Sequence, residues 1–151
     1  MTQSQMRAVY TLVIWGLVAG GFAALFFGNG GPDTFGADKG RIVSAAILIG
    51  AGFIAYFAMM YLTRSHPGGA RVIADERDDS IARRANGGTL IVVLVVVYLA
   101  CIGLWEAYRE VGCVPVGWMW FLGYAAVMLA YLTHAAATLL LNHGMGDHGR
   151  G

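Results

Sequence analysis

The chain has 151 residues, 58% hydrophobic and 13% charged, with a formal net charge of +1. A soluble domain carries about twice that charged fraction, so helices with polar outer faces, and with them a water-soluble fold, are excluded. The near-neutral balance leaves no basic surface for nucleic acid.

Four apolar blocks follow in chain order: Ala8–Phe27, Ile42–Leu62, Leu90–Trp105 and Val116–Leu141. A helix rises about 1.5 Å per residue and a hydrocarbon layer is about 30 Å thick, so each block can cross it. With flanking residues the spans are read as 8–28, 42–62, 88–108 and 116–141 of one domain, 1–151. The apolar runs are continuous rather than alternating, which excludes a barrel and leaves helices as the only spanning structure. The first block has one Arg and the small residues "GGFAA", as a secretory leader does. It is too long for an h-region, and three more spans follow, so it is read as retained. Cys101 falls inside the third span and Cys113 beyond it, which argues against a disulfide. The expected fold class is an all-α membrane protein, a four-transmembrane-helix bundle.

Small residues mark two spans. Gly16 and Gly20 in "GLVAG" stand at GxxxG spacing, and Ala46, Gly50 and Ala51 give span two a comparable face. They suit either helix contact within the bundle or a homo-oligomer.

Lys and Arg in short loops stay on the cytoplasmic side. With four spans, Arg7, Arg64, Arg71, Arg77, Arg83, Arg84 and Arg150 share one side, and Lys39, Arg41 and Arg109 the other. The asymmetry places both termini and the middle loop in the cytoplasm. Trp105, Tyr108, Trp118 and Trp120 then mark the outer boundary. With no targeting segment, the simplest location is the plasma (inner) membrane of a prokaryote.

The middle loop carries the stretch "VIADERDDSIARRANGG". Acids (Asp75, Glu76, Asp78, Asp79) precede Arg83 and Arg84, an order that suits a helix macrodipole, and Asp79 and Arg83 are four apart. Ile73, Ala74, Ile81 and Ala85 form one narrow apolar stripe, and "NGG" at 86–88 offers a stop or a bend. The reading is a short charged cytoplasmic helix over about 73–86, lying on the membrane face or running on into span three. It serves either as a solvated connector that enforces topology or as a docking surface formed by Asp75, Glu76, Arg77, Ile81, Arg83 and Arg84.

"ADERDDSIARRANGGTLIVV" resembles the signature of a family of small, uncharacterised bacterial and archaeal four-span membrane proteins, a domain of unknown function. There an Asp-Glu-Arg triplet, an Ile and an Arg/Lys-Ala pair precede the third span. Asp75, Glu76, Arg77, Ile81, Arg84 and Ala85 match it here. The resemblance covers the middle loop and the four-span layout. The glycine-rich first span and the "NHGMGDHGRG" tail depart from it. It implies a role for the charged helix beyond topology and carries no activity with it.

Ionisable groups inside a span are the default functional candidates. His134, in "AYLTHAAATLL", is the one found well inside, on a face with Gly123, Val127, Ala130 and Tyr131. The plainer account is a neutral His bonded across helices. Glu106 is read as a boundary residue paired with Arg109. Haem would need two facing ligands, and His134 lacks an opposite number. His66, His143, Asp147 and His148 could share one side, but the glycine-rich tail is a poor frame for a metal. No catalytic motif and no mid-span carboxylate occurs, so neither enzyme nor cofactor is expected. The leading expectation is a non-enzymatic accessory or regulatory membrane protein that docks a membrane or cytoplasmic partner. An oligomeric small-solute or ion transporter or channel is the alternative.

Overall fold

The computed structural model describes residues 3–28, 30–63 and 76–147. It comprises α1 (Gln3–Phe27), α2 (Pro32–Phe35), α3 (Lys39–Leu62), α4 (Glu76–Tyr108) and α5 (Val116–Asp147). Four of these, all but α2, are long and apolar enough to cross a membrane. They alternate in direction, so the start of α1, the end of α3, the start of α4 and the end of α5 share one end of the molecule, the termini end. The other carries α2.

Local signals place the helix boundaries. Gly31 precedes α2 at φ 72, where an L side chain would be strained, and Pro32 supplies the first helical position. Asp38 caps α3 by accepting the Arg41 backbone N–H at 3.2 Å. After α4 the N–H groups of Val111 and Gly112 both bond the Tyr108 carbonyl, with Gly112 at φ 74. Across that turn Trp118 Nε1 donates to the Tyr108 hydroxyl at 2.8 Å, tying the ends of α4 and α5 together. The expected Glu106–Arg109 pair forms at 3.6 Å, and Cys101 and Cys113 are free and exposed.

Packing runs as a row, α3 on α1, α1 on α5 and α5 on α4. The core between the first three is aromatic. Trp15 lies flat on Tyr131 at 4.4 Å and meets the edge of Phe53 at 5.1 Å. Towards the α2 end, Phe26 packs on Phe35 at 5.0 Å, Phe121 at 4.5 Å and Trp118 at 5.7 Å. Phe35 is fully buried, which makes α2 the plug of that end. By contrast α4 is nearly bare: Leu90, Ile91, Leu94, Tyr98 and Leu99 are all at least 59% exposed. A contiguous apolar surface of this extent is solvated by lipid rather than by water.

Two expectations change. The separate charged helix over 73–86 is not found, because residues 76–86 are the first turns of α4 and the helix runs on through Asn86, Gly87 and Gly88. Glycine within a helix costs only about 1 kcal/mol against Ala, and the Thr89 hydroxyl bonds the Ala85 carbonyl at 2.7 Å across the pair. The close helix seam also lies elsewhere. A Cβ on Gly16, Gly20 or Gly50 would meet nothing within 4 Å, whereas one on Gly52 would stand 2.8 Å from Val18 Cγ2 and one on Gly21 3.0 Å from Leu48 Cδ2. Ala46 and Ala51 are exposed; Ala45, Ile49 and Gly52 are the buried face of α3.

Candidate functional site

Two arginines hold α1 and α3 together at opposite ends. The last carbonyls of a helix have no partner within it and carry the negative end of its dipole. Arg41, in the first turn of α3, donates from Nε (3.1 Å) and Nη2 (2.8 Å) to the Leu25 carbonyl and from Nη2 to that of Phe26 at 2.8 Å. Its Nη1 donates to Thr34 Oγ1 at 3.1 Å, and its guanidinium lies 5.3 Å from the Phe35 ring. Arg7, near the start of α1, answers at the termini end. It donates from Nε to Thr63 Oγ1 at 2.9 Å and from Nη2 to the Thr63 carbonyl just past the end of α3. Reading the sequence assigned both residues to charge counting and missed this use. The legible signal was a lone Arg near the start of each of two antiparallel apolar helices.

Beside Arg7 lies a cavity of about 330 Å³ to which all four long helices contribute. α1 supplies Arg7 and Thr11, α3 Tyr56, α4 Ile81, and α5 His134 and Thr138. Helix geometry brings them together: Arg7 and Thr11, like His134 and Thr138, are one turn apart on one face. Two of its hydroxyls are oriented by their own helices. Thr11 donates to the Arg7 carbonyl and Thr138 to the His134 carbonyl, both at 2.8 Å. Among the described residues no Asp or Glu lines it. On its aromatic side, Tyr56 meets Tyr131 at 4.9 Å, and Tyr131 lies against Trp15 in the core.

His134 and Tyr131 therefore part company. Tyr131 is a core ring, while His134 faces the cavity, and among the described residues its imidazole makes no cross-helix hydrogen bond. Nor is their shared face a close helix contact, for Gly123 has nothing within 4 Å of a built Cβ. Among the residues of the charged stretch, Ile81 and Ala85 are each 1% exposed, packed inside the molecule, whereas Arg83 and Arg84 are exposed. Asp75 lies outside the described residues, as do Ile73, Ala74, His66 and His148 and the side chains of Glu76, Arg77, Asp78, Asp79 and Asp147. Among the described residues no three His, Cys, Asp or Glu side chains gather as metal ligands do.

No family model, no curated protein and no solved structure matches the chain.

Proposed function

We propose that the chain is a multi-pass accessory or regulatory protein of a prokaryotic plasma membrane, both termini cytoplasmic, that docks a partner through the inner end of α4. The observation that carries this reading is the division of labour there. Ile81 and Ala85 are spent on intramolecular packing, which fixes the helix and leaves Arg83 and Arg84 presented outward. At about 100° per residue Arg83 lies nearly opposite the Ile81–Ala85 face and Arg84 on its flank. Two guanidiniums on a fixed helix suit carboxylates of a partner at the membrane edge, which Arg engages bidentately. Rigidity supports the same reading. α4 and α5, with 33 and 32 residues, outrun α1 and α3, with 25 and 24, and the ends near Trp118 and Phe26 are level. At about 1.5 Å per residue the longer pair projects on the termini side by roughly 10 to 14 Å.

The cytoplasmic assignment rests on charge. Seven Arg on the termini side against three Lys and Arg at the α2 end favour the Arg-rich side as the cytoplasmic one.

The test is co-purification from the native membrane. Arg83→Glu with Arg84→Glu should release the partner while leaving the thermal midpoint of the protein within a degree or two, as exposed substitutions do. Arg83→Lys with Arg84→Lys should retain charge and lose most of the partner. A wild-type preparation that brings down only the protein itself removes the reading. The cavity beside His134 favours a second reading, an oligomeric transporter, in which the aromatic layer at Trp15 and Tyr131 would have to part. Solute flux in reconstituted vesicles that falls on His134→Ala would support it over docking.

A further inference from the structure

We infer that the cavity between the termini-end halves of the four long helices binds a phosphate-bearing anion, with Arg7 as its fixed cation and His134 and Tyr56 as neighbouring donors. The space is partly open to the surface, and its volume of about 330 Å³ lies at the lower edge of the range for ligand sites. What lines it selects the charge of the occupant. A guanidinium, an imidazole and a phenol line it, with no carboxylate among the described residues, a set that favours an anion with several acceptor oxygens over a cation.

Arg7 is already preorganised for this. Nε and Nη2 are committed to Thr63, which fixes the guanidinium plane, and Nη1 has no partner among the described residues. The hydroxyls of Thr11 and Thr138 have given their protons to backbone carbonyls, so they add no free donor. Among the described residues the donors without a hydrogen bond of their own are Nη1, the Tyr56 hydroxyl and an imidazole N–H; Ser4, which also lines the space, is already engaged. Three donors around a space large enough for a few heavy atoms match the tetrahedral oxygens of phosphate better than the planar pair of a carboxylate. The apolar part of the wall, Ala8, Met60, Ile81 and Ala135, suits the carbon side of an ester. The site is separate from the exposed Arg83 and Arg84, so it stands whatever the fate of the docking reading.

The experiment uses the full chain, purified and reconstituted with phosphatidylcholine alone or with phosphatidylglycerol added. Native mass spectrometry then counts retained lipid, and titration with inorganic phosphate is followed by calorimetry in phosphate-free detergent. Selective retention of phosphatidylglycerol assigns a lipid headgroup, and saturable phosphate binding without it assigns a free anion. Either supports the inference, provided Arg7→Gln weakens it about tenfold or more, the loss expected for a charge-assisted contact. Because Arg7 also clamps Thr63, His134→Leu is made alongside. It leaves the clamp intact, should weaken binding several-fold, and decides the matter if Arg7→Gln does not fold. No binding in either arm, tighter binding of acetate than of phosphate, or unchanged affinity in a folded variant of either residue overturns it.

Discussion

Replacing Arg41 by Ala should be among the most damaging single changes in the molecule, although the residue is one of two cations in the first turn of α3. Arg41 is 7% exposed and feeds the Leu25 and Phe26 carbonyls as well as Thr34. A hydrogen bond to a charged group contributes about 1.5–3 kcal/mol. Simple summation overshoots, because the bonds share one guanidinium and its burial carries a desolvation cost. Water at the membrane edge can also reach part of what is uncovered. A loss of about 3–5 kcal/mol remains, the range for removing one partner of a buried charged contact. Arg41→Lys should recover less than half, since an ammonium cannot span the Leu25, Phe26 and Thr34 acceptors at once. The assay is reversible unfolding of the purified protein in mixed micelles by rising detergent denaturant, read by tryptophan fluorescence and far-ultraviolet circular dichroism. Arg109→Ala is the internal control: its partner lies 3.6 Å away and both side chains are more than 60% exposed, so it should cost under about 0.5 kcal/mol. If Arg41→Ala lies within about 1 kcal/mol of wild type, the reciprocal clamp is not what holds α1 to α3.

Two further outcomes are expected of the same assay. Gly52→Ala should destabilise by about 1–3 kcal/mol, the overpacking range, because its Cβ would stand 2.8 Å from a stiff Val18 methyl. Gly16→Ala, with nothing near, should be neutral or stabilising by up to about 1 kcal/mol. Equal effects at the two positions would contradict the assigned seam. Trp15→Ala should cost about 3–5 kcal/mol. Trp15→Phe should cost less than half of that, because it keeps the stack on Tyr131 and removes a buried indole N–H that has no acceptor among the described residues.

What could be read from sequence follows the scale of each interaction. Membrane spans announce themselves through some twenty apolar side chains apiece, and span starts at 42 and 116 lie within three residues of the helices observed. The Ile81–Ala85 stripe was legible for the same reason, as a short periodic signal, and both residues are buried. The seam was not. GxxxG spacing marks Gly16 and Gly20 and passes over Gly52, whose neighbours one turn away are Leu48 and Tyr56, yet the rotation of α1 against α3 brings Gly52 to the contact. Likewise "NGG" reads as a stop because glycine is poor in an isolated helix. Within α4 that small cost is outweighed by an unbroken backbone ladder leading into an apolar span. The cavity was least legible of all. Arg7, Tyr56 and His134 lie far apart in the chain, and nothing in their local patterns brings them together.

The central claim is that four helices cross one bilayer with both termini on the side of the Arg-rich segment. Thiol accessibility in intact cells tests it directly, using native Cys113 and, in a Cys113→Ser background, His143→Cys; both positions are exposed at opposite ends of the molecule. Cys101 lies two turns before the end of α4 on its exposed apolar stretch, and should stay unlabelled because the hydrocarbon layer shields it from a polar reagent. A membrane-impermeant maleimide should label Cys113 from outside at once and His143→Cys only after permeabilisation. Labelling of both from the same side, or of Cys101 as fast as Cys113, would contradict the account.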